Sequence, residues 1–141
     1  MAVRTLRRLQ GVTYWVINDR DEIREFINSN VKREWERDNK EDGIDSRKDD
    51  WLLSLPKREW RLRILEIAKV RLNPSMMARR TFVMELKRRS EEMRRSMSEY
   101  YAVIWPLVVR GEDYELKDGY CRFTALKGMG ATKVMAYVGV L

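Results

Sequence analysis

The segment of the sequence best suited to chemistry lies at residues 113–122. It reads DYELKDGYCR, in which a strand-like stretch ends at Asp118-Gly119 and a helix-like stretch follows at once. The first backbone N–H groups of a helix have no partner within it and carry partial positive charge. Gly119 lets a ligand approach the backbone, and Arg122 adds a guanidinium that can bind two phosphate oxygens at once. The pattern fits a phosphate site, and it also fits an ordinary turn followed by a solvated arginine.

Composition excludes several kinds of catalysis. The chain has 141 residues, no histidine and one cysteine, Cys121. The absence of histidine removes the Ser–His–Asp and Cys–His nucleophile pairs, and a single cysteine excludes a disulfide framework or a cysteine-rich zinc site. The first turn of a helix beside an arginine is a setting that favours a reactive thiolate. We interpret Cys121 instead as a half-buried small side chain, because no histidine is there to act as its base.

Several carboxylates precede this helix start, and carboxylate oxygens near bound phosphates suit Mg²⁺. In most hairpins such carboxylates are exposed to solvent and bind no metal ion. Asp118, which adjoins the glycine, is the one candidate for a catalytic acid or base. The full set of carboxylates is Glu112, Asp113, Glu115 and Asp118.

The charge balance suggests a polyanionic partner. The sequence holds 29 basic and 22 acidic residues, a net charge of +7, and an excess of this sign attracts nucleotides or nucleic acids. The alternative is a solvated helix face with Glu/Arg pairs such as Glu91–Arg95, which stabilise a helix only slightly. The tryptophans lie in apolar runs that indicate core positions rather than base stacking. The predicted contacts to nucleic acid lie on the outer face of a long helix and are Lys87, Arg88, Arg94 and Arg95.

Alternating strands and helices would position these residues. β-branched and aromatic residues predict a strand at 12–17, and apolar residues at helical spacing predict a helix from Asn18 or Asp19 to residue 35. A polar run at 39–50 predicts a loop. The remaining predictions are strands at 60–70, 103–110, 113–117 and 132–140 and helices at about 80–100 and 120–127.

Residues 119–125, GYCRFTA, resemble the GxxRxxA motif of the ParB/sulfiredoxin-like fold. Residues 105–138 also follow the order typical of that family, a Pro-Leu-Val strand, a tyrosine-containing strand, the Gly/Arg helix start and a closing strand. Residues 65–74, LEIAKVRLNP, are similar to the strand and Asn-Pro turn that open it. The resemblance implies a single small α+β domain with a mixed sheet at 60–141, carrying an N-terminal strand–helix extension at 1–59.

The resemblance also implies a pocket for the phosphates of a nucleotide. ParB members bind CTP and clamp DNA, sulfiredoxin binds ATP, and other members phosphorylate free serine, so the implied cofactor is CTP or ATP with Mg²⁺. Ala125 is the small residue that lets the helix pack. The phosphate-binding residues expected here are Gly119, Tyr120, Cys121 and Arg122, with help from Arg79 or Arg80 across the cleft.

Departures from the family narrow the expected activities. Tyr120 stands where sulfiredoxin has its reactive cysteine and Cys121 where it has a histidine, so sulfiredoxin activity is not expected. The His-Glu pair of the serine-kinase members is replaced at 72–75 by LNPS. Full-length ParB proteins continue into a helix-turn-helix domain, whereas this sequence ends at Leu141, so sequence-specific reading of DNA is not expected.

Three functions stay open on the sequence. The first is a nucleotide-binding domain that contacts DNA, with slow hydrolysis of the nucleotide as an option, and a homodimer is compatible with it. The second is a small phosphotransferase, NTPase or nuclease that uses Asp118 with Mg²⁺. The third is an interaction module without a ligand. Because no apolar run is long enough to span a bilayer and no secretory signal begins the chain, a soluble cytoplasmic protein with no membrane partner is expected.

Overall fold

The computed structural model describes residues 3–141, which form an α+β fold with a mixed four-stranded sheet, as predicted, and a separate N-terminal hairpin. The strands are β1 (Arg4–Leu9), β2 (Val12–Ile17), β3 (Glu59–Glu66), β4 (Leu107–Arg110), β5 (Leu116–Asp118) and β6 (Lys133–Val140). The helices are α1 (Arg20–Phe26), α2 (Lys32–Glu41), α3 (Asp50–Ser54), α4 (Pro74–Met77), α5 (Arg80–Glu99) and α6 (Tyr120–Gly128). A π-helical turn at Ile27–Val31 joins α1 to α2, and 3-10 turns cover Ser46–Lys48, Leu55–Lys57 and Ile67–Lys69.

The sheet has the strand order β3-β6-β4-β5. Strand β6 runs antiparallel to β3 along its whole length and parallel to β4, and β5 returns antiparallel to β4. The two inner strands, β4 and β6, are almost continuously buried. Such continuous apolar runs arise because both faces of the sheet are covered.

Two neighbouring residues of β6 enter different hydrophobic clusters, since strand side chains alternate between faces. Ala136 packs with α5, α6 and the inner residues of the hairpin, whereas Tyr137 packs with α1, α3 and the turn between α1 and α2. Both clusters contain residues from each side of the predicted boundary at 59/60. The division into an extension and a domain therefore stays a prediction, and the two parts share their cores.

Strand β1 was not predicted, because its sequence RTLRRL lacks an apolar alternation. It forms through its partner: β1 pairs with β2 over their whole length, from Arg4↔Ile17 to Leu9↔Val12. The turn residue Gln10 then fixes the hairpin to the sheet. Its side-chain carbonyl accepts from the backbone N–H groups of Thr132 (2.9 Å) and Lys133 (3.0 Å), at the start of β6.

The predicted loop at 39–50 is more ordered than expected. Helix α2 continues to Glu41, and Asp49 caps α3 by accepting from the backbone of Trp51 at 3.0 Å. The same carboxylate accepts from Trp35 Nε1 at 3.0 Å and Asn39 Nδ2 at 2.9 Å. The polar residues of this segment are helix caps, and caps resemble loops in composition.

Three predicted strands are shorter than expected. Strand β5, predicted at 113–117, covers only Leu116–Asp118, and β3 ends at Glu66 and is followed by a 3-10 turn. Strand β4 begins only at Leu107. The preceding residues are extended but pair with the hairpin through a single bridge, Tyr14↔Ile104. The cap prediction is confirmed: Asp19 accepts from the backbone N–H of Glu22 at 3.0 Å. Within residues 3–141, no helix combines the length and apolar character needed to cross a bilayer.

Candidate functional site

A groove of about 590 Å³ opens between the N-terminal helices and the segment that leads into β4. Its volume lies within the usual range for small-molecule sites, roughly 300–1,000 Å³. The groove combines apolar walls with charged groups from three separate parts of the chain. Its lining residues are Phe26, Asn30, Val31, Arg33, Glu34, Arg37, Met93, Val103, Ile104, Trp105, Asp118 and Arg122.

One wall comes from the helical segment that runs from α1 into α2. Asn30, Arg33, Glu34 and Arg37 follow one another at the spacing that places residues on a single helix face. Neither Arg33 nor Arg37 was predicted as a site residue. The sequence does show two arginines one turn apart beside the apolar stripe of this helix, but no neighbouring residue indicates which part of the protein that helix face contacts.

The floor of the groove contains Arg122, the residue singled out by the sequence. Its Nη1 donates to the backbone carbonyls of Trp105 (2.9 Å) and Pro106 (3.0 Å), and its Nη2 donates to Asp118 Oδ2 at 2.8 Å. The side chain is only 16% exposed. Arg122 therefore fastens the segment before β4 to the start of α6 while it lines the groove.

Asp118 belongs to the same groove and is ion-paired with Arg122. A second carboxyl group stands nearby on α2. Burial raises the pKa of Asp38 above its ordinary value, the charge of Arg37 opposes this rise, and the charge of Asp118 is among those that add to it. The end of the groove near Asp118 thus holds negative charge, while the rim on α2 holds two arginines.

The opposite wall is aromatic. Trp105 is 42% exposed, and the guanidinium carbon of Arg4 lies 3.8 Å from its ring centroid. The same guanidinium lies 4.8 Å from the ring of Phe26, which stands 5.1 Å from Trp105 between centroids. This stacking fixes the position of the indole ring while part of it stays open to solvent.

The turn at Gly119 is built as the sequence predicts. Gly119 has φ +110°, a conformation that favours glycine, and it precedes α6 directly. A Cβ at this position would meet Leu107 Cδ2 at 2.5 Å and Arg122 Nη2 at 2.9 Å. The glycine is therefore required both by its backbone angle and by the guanidinium that lies over it.

The two residues after Gly119 do not line the groove. Tyr120 is buried; its hydroxyl accepts from the backbone N–H of Asn73 at 2.9 Å, and its ring packs edge-on against Phe82. Cys121 is half-buried, in agreement with our interpretation. Burial raises the pKa of its thiol, although the charges of Arg89 and Arg122 oppose that rise. A contact of Tyr120 or Cys121 with phosphates stays a prediction.

The predicted helpers Arg79 and Arg80 lie outside the groove lining. Arg79 makes an ion pair with Asp42 at 3.6 Å, at the end of α2. Arg80 is the exposed first residue of α5. Their help in binding phosphates stays a prediction, and Arg33 and Arg37 are the cations that the fold actually places beside Arg122.

The carboxylates of the β4–β5 turn are held by cations rather than gathered around a metal. Glu112 accepts two hydrogen bonds from buried Arg58, at 2.6 and 2.9 Å. Asp113 makes an ion pair with Arg110 at 2.6 Å. Glu115 makes an ion pair with Lys117, also at 2.6 Å. In the part of the chain that is described, no three acidic or cysteine side chains are arranged to bind a metal ion.

Five of the six cations of α5 fall into two rows, and Arg89 belongs to neither row. In the outer row Arg88 pairs with Glu85 and Glu92, and Arg95 pairs with Glu99 at 3.9 Å rather than with Glu91. A second row has a spacing of seven residues and makes no ion pair with any of residues 3–141. Residues seven apart lie almost one above the other on a helix. The second row consists of Arg80, Lys87 and Arg94.

Comparison with known proteins extends only to the fold. No family model and no curated protein matches the sequence. Among solved structures, the chain is similar to two crystal forms of the N-terminal domain of a pNOB8-like ParB protein. One is 21% identical with a TM-score of 0.44 over 58% of this chain. The other is 20% identical with a TM-score of 0.42 over 58% of this chain. The match covers 30% and 28% of those chains.

Proposed function

We propose that this chain binds a nucleotide in the groove between α2 and the segment before β4, and that it contacts DNA through the unpaired row of α5. The observation that carries the first part is the meeting of three arginines, Arg33, Arg37 and Arg122, in one groove of suitable volume. They come from helices distant in sequence, so their proximity is a property of the tertiary fold.

The chemistry of the groove suits a molecule with a charged end and a flat apolar end. Guanidinium groups bind phosphate oxygens in pairs and are less strongly hydrated than ammonium groups. The exposed part of Trp105 offers a surface for a base, since stacking on an aromatic ring is favourable for every base. Glu34 and Asp118 leave the groove with a small net positive charge. Nucleotide phosphates that carry Mg²⁺ suit this balance better than bare triphosphate.

Calorimetric titration of the protein with CTP, ATP, ADP and GTP in the presence of Mg²⁺ tests the proposal. We expect at least one nucleotide to bind more tightly than about 1 mM, or roughly −4 kcal/mol. Arg37→Gln should weaken that binding by about ten-fold or more, because a hydrogen bond to a charged group contributes roughly 1.5–3 kcal/mol. Arg37 is the better target because Arg122 also holds the fold together through its three hydrogen bonds.

The matched control is Arg7→Gln, which removes the same charge from an exposed residue of β1 outside the groove. Its effect should stay within about two-fold, since long-range attraction between exposed charges is screened by salt. Equal weakening by both variants would show that only overall charge matters and would remove the groove assignment. No binding by any of the four nucleotides would end the first part of the proposal.

The DNA part rests on the row Arg80, Lys87 and Arg94. Side chains seven residues apart on a helix are about 10 Å apart along its axis, so three of them present charge over roughly 20 Å. The aliphatic stem of Arg94 lies beside Gly128 of α6, where an added Cβ would meet its Cδ at 3.4 Å. The outer row is different, because acidic neighbours neutralise its arginines. Unpaired cations bind phosphates without first breaking an ion pair.

A further inference from the structure

The segment between α5 and β4 exposes an unusual amount of aromatic surface. Tyr100 and Tyr101 are each 78% exposed, and Val103 and Trp105 are each 42% exposed. Exposed apolar side chains that lie together commonly mark an interaction site. We define Tyr101, Val103 and Trp105 as the aromatic row.

The aromatic row follows from the pattern of exposure in this segment. The residues of the row are exposed, whereas the residues between and after them point inward: Ala102 is half-buried, and Ile104 and Pro106 are buried. Ile104 pairs with Tyr14 in an isolated bridge, and alternate side chains of such an extended backbone lie about 7 Å apart on one side. Val103 and Trp105 therefore enter the groove lining together, and Tyr101 precedes them just after the end of α5.

Tyr101 occupies a backbone conformation that is unfavourable for its type, with φ +54°. The conformation is held because the N–H groups of both Tyr100 and Ala102 donate to the carbonyl of Ser96, each at 3.1 Å. An asparagine or glycine would fit this backbone with less strain. The strain and the exposure together indicate that the ring itself is the useful part of the residue.

The charge around the row decides which partner it fits. Arg33 and Arg37 stand across the groove from Trp105, and the guanidinium of Arg4 lies behind its ring, 3.8 Å from the centroid. A second copy of the chain, with a net charge of +7, would bring like charges together on this face. Aromatic rings in a line beside cations are the features that bind the bases and the backbone of single-stranded nucleic acid.

We propose that the aromatic row and the adjoining groove bind single-stranded nucleic acid, with bases stacked on Tyr101 and Trp105 and the backbone directed toward Arg33 and Arg37. The inference rests on the groove of the function proposed above, whose Arg33, Arg37 and Trp105 a single strand would share with a free nucleotide. It also assigns different surfaces to two forms of nucleic acid: the row of α5 cations contacts a duplex, and the aromatic row contacts unpaired bases.

The test measures fluorescence anisotropy of labelled strands of about 12 nucleotides, within the range of known single-strand sites. The probes are oligo-dT, oligo-U and a mixed-sequence duplex. The variant is Tyr101→Asn, because asparagine tolerates positive φ and keeps the fold. Tyr114→Asn is a matched control, since Tyr114 is also an exposed tyrosine with positive φ (+58°), in the β4–β5 turn.

We expect Tyr101→Asn to weaken strand binding by about five-fold or more, the effect of losing one stacked base. Duplex binding should be unchanged, and Tyr114→Asn should have little effect on any probe. An equal loss of affinity for oligo-dT and oligo-U supports stacking of both DNA and RNA bases. A larger loss for one of the two probes identifies the preferred nucleic acid.

Four results would overturn the inference. The first is that Tyr101→Asn leaves the affinity for single-stranded probes unchanged. The second is that the protein binds the duplex but no single-stranded probe, in which case the DNA proposal for α5 would survive. If no nucleic acid binds at all, both fail. A change from dimer to monomer in sedimentation by Tyr101→Asn, with strand affinity unaltered, would show that a second copy covers the aromatic row.

Discussion

Arg122 lines the groove and also holds the fold, and these two functions cannot be separated by removing it. Its guanidinium ties two carbonyls of the segment before β4 to Asp118. A variant that deletes the guanidinium would remove the donor from three partly exposed acceptors, and each such hydrogen bond contributes about 0.5–1.5 kcal/mol. Loss of ligand binding in such a variant would not distinguish a missing contact from a displaced loop.

Gly119 gives a sharper test at the residue scale. We expect Gly119→Ala to lower the free energy of unfolding by about 2–4 kcal/mol. The alanine would have to keep a positive φ that is unfavourable for it, and its Cβ would also meet the buried side chain of Leu107. Gly43→Ala is the control: its φ is +72°, and no atom lies within 4 Å of its added Cβ. Urea denaturation should show a loss of only about 1–2 kcal/mol for the control. Equal losses would mean that the close packing around Gly119 does not contribute.

At the scale of elements, helix α5 shows that a basic sequence does not by itself define a binding surface. Four residues were predicted to contact nucleic acid, and they divide between the two rows. Arg88 and Arg95 belong to the outer row and are ion-paired, whereas Lys87 and Arg94 belong to the unpaired row with Arg80. The distinction follows from the ion pairs: Glu85, Glu92 and Glu99 pair with the outer row, whereas Glu91, four residues after Lys87, pairs with neither row.

The salt dependence of duplex binding tests this division. Replacing Arg80, Lys87 and Arg94 together by glutamine should reduce the slope of log affinity against log salt by about 2–3, since each phosphate contact contributes roughly 0.9. Arg88→Gln should change the slope little, because Glu85 and Glu92 already occupy its guanidinium. A slope that falls as much for Arg88→Gln as for one residue of the row would show that these ion pairs open on binding.

At the scale of the whole molecule, one polar network joins the N-terminal part of the chain to the sheet. Arg58, which follows α3, is buried and donates to Glu112 and to the carbonyl of Gly139 on β6. Lys117 on β5 is buried beside Glu115, and its ammonium group stands 5.3 Å from the ring centroid of Trp51 on α3. The Lys117–Glu115 pair is buried on both sides, and removing one partner of such a pair is strongly destabilising.

The same network predicts how stability depends on acid. Hydrogen bonds from Arg110 lower the pKa of Asp113 to about 2, and the Arg58 guanidinium lowers the pKa of Glu112. A depressed pKa in the folded state stabilises the protein above the unfolded pKa, and this contribution disappears as the pH falls through the folded value. We therefore expect Asp113 to contribute about 1–2 kcal/mol near neutral pH, lost between about pH 4 and pH 2.

Chemical denaturation as a function of pH measures this contribution. Asp113→Asn should lower stability at neutral pH and should have a flatter profile than wild type below about pH 4. Asp50→Asn serves as the control, since Asp50 is an exposed residue of α3 that takes no part in the network. A wild-type profile no steeper than that of Asp113→Asn in acid would contradict the predicted role of Arg110.

Structural features that depend only on residues close together in the chain could be predicted from the sequence. The cap at Asp19, the apolar stripe of α5 and the glycine turn before α6 all carry their signal within one or two helical turns. The resemblance at 119–125 likewise located the helix start that contains Arg122. Strand β1 and the helix caps at 45–50 were missed, because their structure depends on a partner strand and on hydrogen bonds that composition does not reveal.

The residues that surround Arg122 could not be predicted from the sequence, because they depend on the tertiary structure. Helical periodicity places Arg33 and Arg37 on one face of α2, but which surface that face meets depends on how the N-terminal helices pack against the sheet. That packing is set by contacts between distant parts of the chain, such as Ile23 and Phe26 with Tyr137. Local patterns therefore predict elements and their faces, whereas the groove exists only where faces of separate elements meet.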